Sequence, residues 1–261
     1  MFRRNKSAYR AIEIVSLIAN NKKPMTIAQV SRELNIPGSS AFELLYTLVE
    51  TGVITVDSEE LKTFKLGVRT FEIGSKYLED INFNKMSIKY LEKLSVVTGE
   101  TVFMDVEDKG HVIHINKVEG TNTFRSTCNV GHRNYMHCSS VGKALLATYS
   151  DEKVKEIIDK YELIKKTTYT FTEFDDLIKD IKITRNRGYA IDDREDVIDG
   201  LCIGAPIYDH LNKAIAAISV SCQYSNMTKI KIEKFAEYTK STALDISKQM
   251  GFKENKLYYN F

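Results

Sequence analysis

Apolar residues in the first third of the chain recur at helical spacing. Ala11, Ile14, Val15 and Ile18 fall three and four places apart, which predicts an amphipathic helix over 8–19. Asn20 to Lys23 and then Pro24 end it. Thr26 with Gln29 three places on predicts a capping box opening a short second helix. That helix turns Ile27, Val30 and Leu34 inward and closes at Asn35-Ile36-Pro37. A third helix is expected from Ser39 or Ser40, with Ala41, Leu44, Leu45, Leu48 and Val49 on one stripe and Thr51-Gly52 as its stop. The β-branched run Val53–Val56, a polar turn at Asp57 to Glu60, and the run Thr63–Leu66 then read as a hairpin.

Helix, short helix, tight turn, helix and hairpin is the order of a winged helix-turn-helix. The inward stripe of the third helix leaves Ser39, Ser40, Phe42, Glu43, Tyr46 and Thr47 facing outward, where a major groove is read. Ser40 and Glu43 are also spaced as a capping box, so both can serve the helix start instead. In the hairpin, Lys62 and Lys65 are candidate phosphate contacts or solvated charges. Arg3, Arg4, Lys6 and Arg10 form a basic cluster that fits an arm on the phosphate backbone, or a solvated terminus. A small helical domain used for protein contacts has the same pattern.

Beyond Val68 a helical segment with Phe71, Ile73, Leu78 and Ile81 links to a second helix over 86–97, with Ile88, Leu91, Leu94 and Val97 on one side. Strand-like runs follow at 101–106 and 112–118, joined by the turn Glu107-Asp108-Lys109-Gly110. Helices are expected at 140–149, 152–160, 174–187 and 230–250, and strands at 189–192, 201–208 and 214–222. Helices flanking a mainly antiparallel sheet make an α+β domain. The organisation expected is 1–67 for the winged helix-turn-helix, 68–85 for a linker helix, and 86–254 for the second domain.

Length and composition agree with two soluble domains: 261 residues, 43% hydrophobic and 28% charged, with a formal charge of +2. No apolar run approaches the roughly 20 residues of a membrane helix. The basic N-terminus has no apolar stretch behind it, so no secretory signal is read and the expected location is the cytoplasm. Four cysteines with no CxxC pair do not suggest a disulfide framework.

The stretch AIEIVSLIANNKKPMTIAQVSRELNIPGSSAFELLYTLVETGVI and FKLG at 64–67 resemble the winged-helix domain of the IclR family of regulators. TGETVFMDV at 98–106, VEG at 118–120, GHRNYMHCSSVGKALLA at 131–147, RGYAIDD at 187–193 and GLCIGAPIYDHLNKAIAAISVS at 200–221 extend the resemblance over nearly the whole chain, in order. It implies a GAF-like effector-binding second domain, and a regulator of a catabolic operon, of the repressing kind, that is not an enzyme. Where family recognition helices carry a Pro-Lys-Ser-Thr pattern and an arginine before the Leu-Leu pair, this chain has Gly38 and Glu43. A recognition helix this neutral leans on the arm and wing for phosphate affinity. One winged helix makes few base contacts, so a homodimer or dimer of dimers on double-stranded operator DNA is expected.

Strand alternation locates a candidate pocket. Ser219 and Ser221 face away from Ile218 and Val220, while Gly200, Cys202 and Gly204 face away from Leu201, Ile203, Ala205 and Ile207. Small and hydroxyl-bearing groups on neighbouring strands suit a polar metabolite or merely a solvated face. The resemblance assigns effector binding to Ser140, Val141, Asp192, Cys202, Ser219 and Ser221. Ser140 and Val141 open a helix whose free amides suit a carboxylate. Asp192 is expected to accept from a ligand hydroxyl, and Asp193, Glu195, Asp196 and Asp199 to form a solvated acidic loop. Thr123, Ser126 and Asn134 on another wall suggest a hydroxylated ligand such as a sugar acid. No cofactor is expected. Cys128, His132, His137 and Cys138 do not match the spacing of a structural zinc site, and His111 and His114 point to opposite faces of one strand. The rival readings are a GAF-like redox enzyme using Cys202 or Cys128, of which Cys128 has Arg125 and His132 near while Cys202 has no basic neighbour in sequence, and a protein-interaction adaptor.

Overall fold

The computed structural model describes residues 5–80, 82–122 and 127–258, with backbone alone at 77–80 and 82–84. Arg3, Arg4, Ile81, Thr123, Arg125 and Ser126 lie outside the described residues. The chain divides into two compact units, Met1–Ile81 and Asn82–Phe261.

In the first unit, Asn5 caps α1 (Lys6–Asn20) by accepting from the Ala8 amide at 3.0 Å. β1 (Met25–Thr26) leads into α2 (Ile27–Glu33) through a capping box: Gln29 N–H donates to Thr26 Oγ1 at 3.3 Å, and Thr26 N–H to Gln29 Oε1 at 2.8 Å. Asn35 takes a left-handed φ of 49°, which an Asn tolerates in a tight turn. α3 (Gly38–Glu50) starts earlier than the sequence suggested, with Pro37 as its N-cap and no side-chain cap. Ser40 and Glu43 therefore lie inside the helix, and the capping box expected of them does not form. β2 (Ile54–Ser58) and β3 (Thr63–Leu66) pair antiparallel, and β1 adds a third strand in the order β1-β3-β2. Ile14, Ile18, Met25, Val30, Ala41, Leu45, Ile54 and Phe64 form one core beneath the three helices and the sheet. α4 (Val68–Asp80) follows and closes this unit.

The second unit opens with α5 (Asn82–Thr98), four residues ahead of the expected start. Its sheet contains β4 (Thr101–Asp108), β5 (His111–Val118), β6 (Arg133–Tyr135), β7 (Ala190–Asp193), β8 (Gly200–Tyr208) and β9 (Ala214–Gln223). The six strands run in the order β6-β5-β4-β9-β8-β7, every neighbour antiparallel. The short edge strand β6 is not legible in the sequence pattern. α6 (Ser140–Leu146), α7 (Asp151–Tyr161), α8 (Phe174–Arg187) and α9 (Lys229–Gln249) complete the unit, with α9 packed on β8 and beside α5. The result is α+β.

Two glycines let α6 sit close over the sheet. A Cβ on Gly204 of β8 would lie 2.5 Å from the Ser140 carbonyl oxygen, and one on Gly142 would lie 2.3 Å from the Met136 Cα. Only a bare backbone allows that approach.

Candidate functional site

In the first unit the outward side of α3 carries Ser39, Phe42, Glu43, Tyr46 and Thr47, all exposed, while Ser40 is half-buried. Phe42 and Tyr46 stack one turn apart with ring centres 4.5 Å apart, and Tyr46 meets Phe64 of β3 edge-on at 5.8 Å. Tyr46 is thus anchored by its ring on an exposed side of the helix. Lys62 is exposed in the hairpin turn, with a left-handed φ of 48°. Lys65 is ion-paired with Asp57 at 2.7 Å, which partly answers its charge. Lys6 is exposed at the start of α1.

In the second unit the register sets polar side chains side by side. Asp192 of β7 stands opposite Cys202 of β8, and Cys202 opposite Ser221 of β9. One step along, Gly204 stands opposite Ser219, and Ser219 opposite Phe103 of β4. Alternation puts these residues on one face. α6 covers that face, bringing Ser140 and Val141 over it. Asp192, Cys202, Ser219, Ser221, Ser140 and Val141 all line one cavity of about 280 Å³. The remaining wall includes His114, Cys128, Asn134 and Asp196.

The cavity's chemistry is mixed. Ser140 and Val141 are first-turn residues of α6, whose amides have no acceptor within the helix; Ser139 Oγ takes the next amide, that of Gly142, at 3.2 Å. Cys202 Sγ donates to Ser221 Oγ at 3.6 Å. Asp192 Oδ1 accepts from the Glu195 amide at 2.8 Å and the Asp196 amide at 3.3 Å, so this carboxyl holds the following turn in place. Burial pushes the Asp192 carboxyl well up, Glu195 adds to that, and Lys143 opposes it. A carboxyl raised in this way takes up a proton more readily than a free one, and when protonated it offers a donor beside its acceptors.

The solvated acidic loop is corrected. Glu195 is buried and paired with Lys143 Nζ at 2.5 Å. Asp196 lines the cavity, accepting from Asn134 Nδ2 at 2.8 Å and pairing with Lys166 at 3.1 Å. Asp193 is exposed and pairs with Arg194, and Asp199 is exposed. Folding back over the sheet, not composition, decides which acids are buried.

His114 lines the cavity, a placement that strand alternation alone does not give. β5 carries an extra residue at Ile115, so Asn116 pairs with Met104 while His114 pairs with Asp105. His114 Nδ1 meets Asp105 Oδ2 at 2.6 Å, and Phe103 stacks on the ring with centres 4.4 Å apart. His111, by contrast, lies against Tyr135 and Tyr161. His137 Nε2 bonds the Ile164 carbonyl oxygen at 3.0 Å, and Cys138 is buried with its thiol pushed up by burial. Among the described residues no group of three or more His, Cys, Asp or Glu is placed to hold a metal ion. No described helix is long and apolar enough to cross a membrane.

A winged helix in one unit and a covered, polar-walled cavity in the other define a ligand-responsive, DNA-binding transcription regulator. The IclR helix-turn-helix domain matches residues 7–58, and the bacterial transcriptional regulator IclR C-terminal domain matches 75–248. The chain belongs to the IclR family of bacterial transcriptional regulators. It is 29% identical over 244 residues to the HTH-type transcriptional repressor AllR of Escherichia coli K12, covering 94% of this chain and 90% of that one. The crystal structure of Thermotoga maritima IclR superposes with a TM-score of 0.78 at 28% identity, over 94% of this chain and 99% of that one. An IclR homologue from Microbacterium hydrocarbonoxydans, crystallised with 4-hydroxybenzoate, shares the fold at a TM-score of 0.82 and 19% identity, over 94% and 99% of the two chains.

Proposed function

We propose that the protein is a cytoplasmic repressor of a catabolic operon, controlled by a small carboxylate or sugar acid bound in the second unit. The observation that carries this reading is the wall made by Asp192, Cys202, Ser219 and Ser221 from three adjacent strands under the first turn of α6. Helix-start amides suit a carboxylate, and the serines and Asp192 suit hydroxyl or carbonyl groups. The repressor named among the relatives supports the sign of regulation, and the hydroxybenzoate held by a fold neighbour supports the ligand class.

On the DNA side, Ser39, Ser40, Phe42, Glu43 and Tyr46 read the major groove, while Lys62, Lys65, Lys6 and the arm with Arg3 and Arg4 contact phosphates. Exposure of Ser39, Phe42, Glu43, Tyr46, Lys62, Lys65 and Lys6 supports that assignment. The working form is a homodimer or dimer of dimers on a pseudo-palindrome, since one winged helix gives too few base contacts. No catalysis is assigned to it.

The test is a thermal-shift screen of carboxylic and sugar acids on the full chain, followed by band shifts on the promoter beside its gene. A true effector at about 100 times its Kd stabilises by roughly 2.7 kcal/mol and changes operator binding. A ligand that stabilises the protein yet leaves operator binding unchanged would overturn effector control. A footprint with one unrepeated half-site would overturn the dimer.

A further inference from the structure

Two cysteines line the same cavity in opposite surroundings. Cys202 is flanked by Asp192, and burial together with that carboxylate pushes its thiol well up. Cys128, half-exposed, lies beside His114, whose ring hydrogen-bonds both Asp105 and this thiol. The Asp105 bond occupies Nδ1, which leaves Nε2 as the nitrogen available to sulfur. Asp105 is fully buried, and Phe103 stacked on the ring holds its plane. Carboxylate, imidazole and thiol in series are the arrangement that moves a thiol proton onto a ring and leaves a nucleophilic sulfur.

The charges around the series keep the proton on the ring. Burial pulls the His114 imidazole down, but its bonds to Asp105 and Cys128 outweigh this and hold it up at about 9. Burial pushes Asp105 up, against the His114 bond and charge. The 2.6 Å bond to Asp105 favours a proton on the imidazole. His132, the next ring, at 5.5 Å, is pulled down by burial and by His114, with Asp196 and Lys166 as its other charged neighbours. The neutral form of His132 therefore leaves His114 as the imidazolium facing Cys128.

We propose that Cys128 is a nucleophilic thiolate in the cavity wall, set up by the Asp105–His114 pair and oxidised there by small hydroperoxides. The sulfur attacks the terminal oxygen of ROOH; an S–O bond forms as the O–O bond breaks. The leaving alkoxide or hydroxide takes the imidazolium proton of His114 and departs as an alcohol or water. Sulfur is oxidised by two electrons to a sulfenic acid, and the peroxide is reduced by the same two. A hydroperoxide is the class favoured because the step needs only a thiolate and a proton donor for the leaving oxygen, and Cys128 and His114 supply both. Burial pushes up the thiols of Cys138 and Cys222, and Cys202 has Asp192 beside it, so reaction is confined to Cys128. The added oxygen projects into the cavity shared with Asn134 and Ser219, and so couples oxidation to the site that reads metabolites. The thiol chemistry itself does not depend on the effector reading.

The test uses the full chain, limiting iodoacetamide between pH 5 and 9, and mass spectrometry of all four cysteines. Cys128 is expected to label first, with a midpoint below about pH 7.5 where a free thiol has about 8.5. His114→Gln and Asp105→Asn each move that midpoint back towards the free-thiol value and slow labelling at pH 7 by roughly tenfold, the thiolate fraction falling tenfold per pH unit. Stoichiometric hydrogen peroxide followed by dimedone gives one adduct, lost in Cys128→Ser. An ordinary midpoint for Cys128, or a dimedone adduct on another cysteine, overturns the proposal. So does an unmoved profile in both neighbour variants. If those variants fail to fold, the wild-type profile and the Cys128→Ser adduct decide it.

Discussion

Lys143 and Glu195 form an ion pair 2.5 Å long that is almost wholly out of water, their side chains 1% and 4% exposed. A second carboxylate, Asp180 of α8, meets the same ammonium at 2.8 Å. The pair ties α6 to the turn after β7, and Asp192 Oδ1 holds that same turn through the Glu195 and Asp196 amides. Thr170 Oγ1 donates to the Glu195 carbonyl oxygen at 2.6 Å, fixing the turn from the other side. The geometry of the cavity therefore rests on one buried cation.

Removing that cation leaves the buried Glu195 carboxylate without its partner and Asp180, half-buried, with only Arg187 at 3.8 Å among the described residues. Lys143→Met is expected to destabilise the protein by roughly 3–5 kcal/mol, the range for breaking a buried pair on one side. Urea unfolding monitored for the second unit checks it. A midpoint that barely moves would mean that Glu195 and Asp180 take up protons at little cost.

The pocket variants separate recognition from folding. Ser221→Ala removes a hydroxyl that, among the described residues, accepts only from Cys202 Sγ and leaves the backbone ladder of β9 intact, so folding is expected to persist while effector affinity falls roughly five- to hundredfold, for 1–3 kcal/mol lost. Asp192→Asn keeps the Oδ1 acceptor for the Glu195 and Asp196 amides, so it also folds. Asp192→Ala leaves those amides without their acceptor and costs roughly 1–3 kcal/mol of stability. Calorimetry with the screened effector, beside urea melts of all three variants, reads both effects. Unchanged affinity in Ser221→Ala would place the ligand elsewhere.

His114 gives stability a defined pH window. Its folded value of about 9 lies above the roughly 6.5 of an unfolded histidine, so the folded state holds the proton more tightly. The stabilisation is complete below about pH 6.5 and is lost as pH rises through about 9. The difference in unfolding free energy between wild type and His114→Gln should therefore narrow across that interval. A difference that stays constant from pH 6 to 9 would show that the ring is not protonated by its partners.

On the DNA side, Tyr46→Phe keeps the ring packed on Phe42 and Phe64 and removes only the hydroxyl. It should shift preference among operator variants without loss of stability, and Ser39→Ala should do the same. Lys62→Ala should weaken binding to all sequences alike and lower the salt slope by about 1. Band shifts over a salt series distinguish the two kinds of contact. An unaltered slope in Lys62→Ala would remove the wing lysine from the interface.

Local rules in the sequence determined much of this protein. The four-residue spacing of Ile14 and Ile18, and of Ala41 and Leu45, reappears as a buried core, because helix geometry alone puts such residues on one side. Thr26 and Gln29 close their capping box since both partners lie within one turn. The shared face of Ser219 and Ser221 follows from the two-residue period of a strand. Ser40 and Glu43 have the same capping spacing and fail to cap, because the chain is already helical from Gly38, directly after Pro37. What only the tertiary structure decided depends on residues far apart in the chain. Lys143 meets Glu195 52 positions away, so no local pattern distinguishes that acid from its solvated neighbours. Asp105 and His114 face each other because of one extra residue in β5, and α6 lies close enough to cover the cavity because Gly204 has no side chain. A bulge shifts the register of a whole ladder, and burial changes the charge state of an acid. Neither is encoded in the spacing of nearby residues, and both decide the chemistry of the pocket.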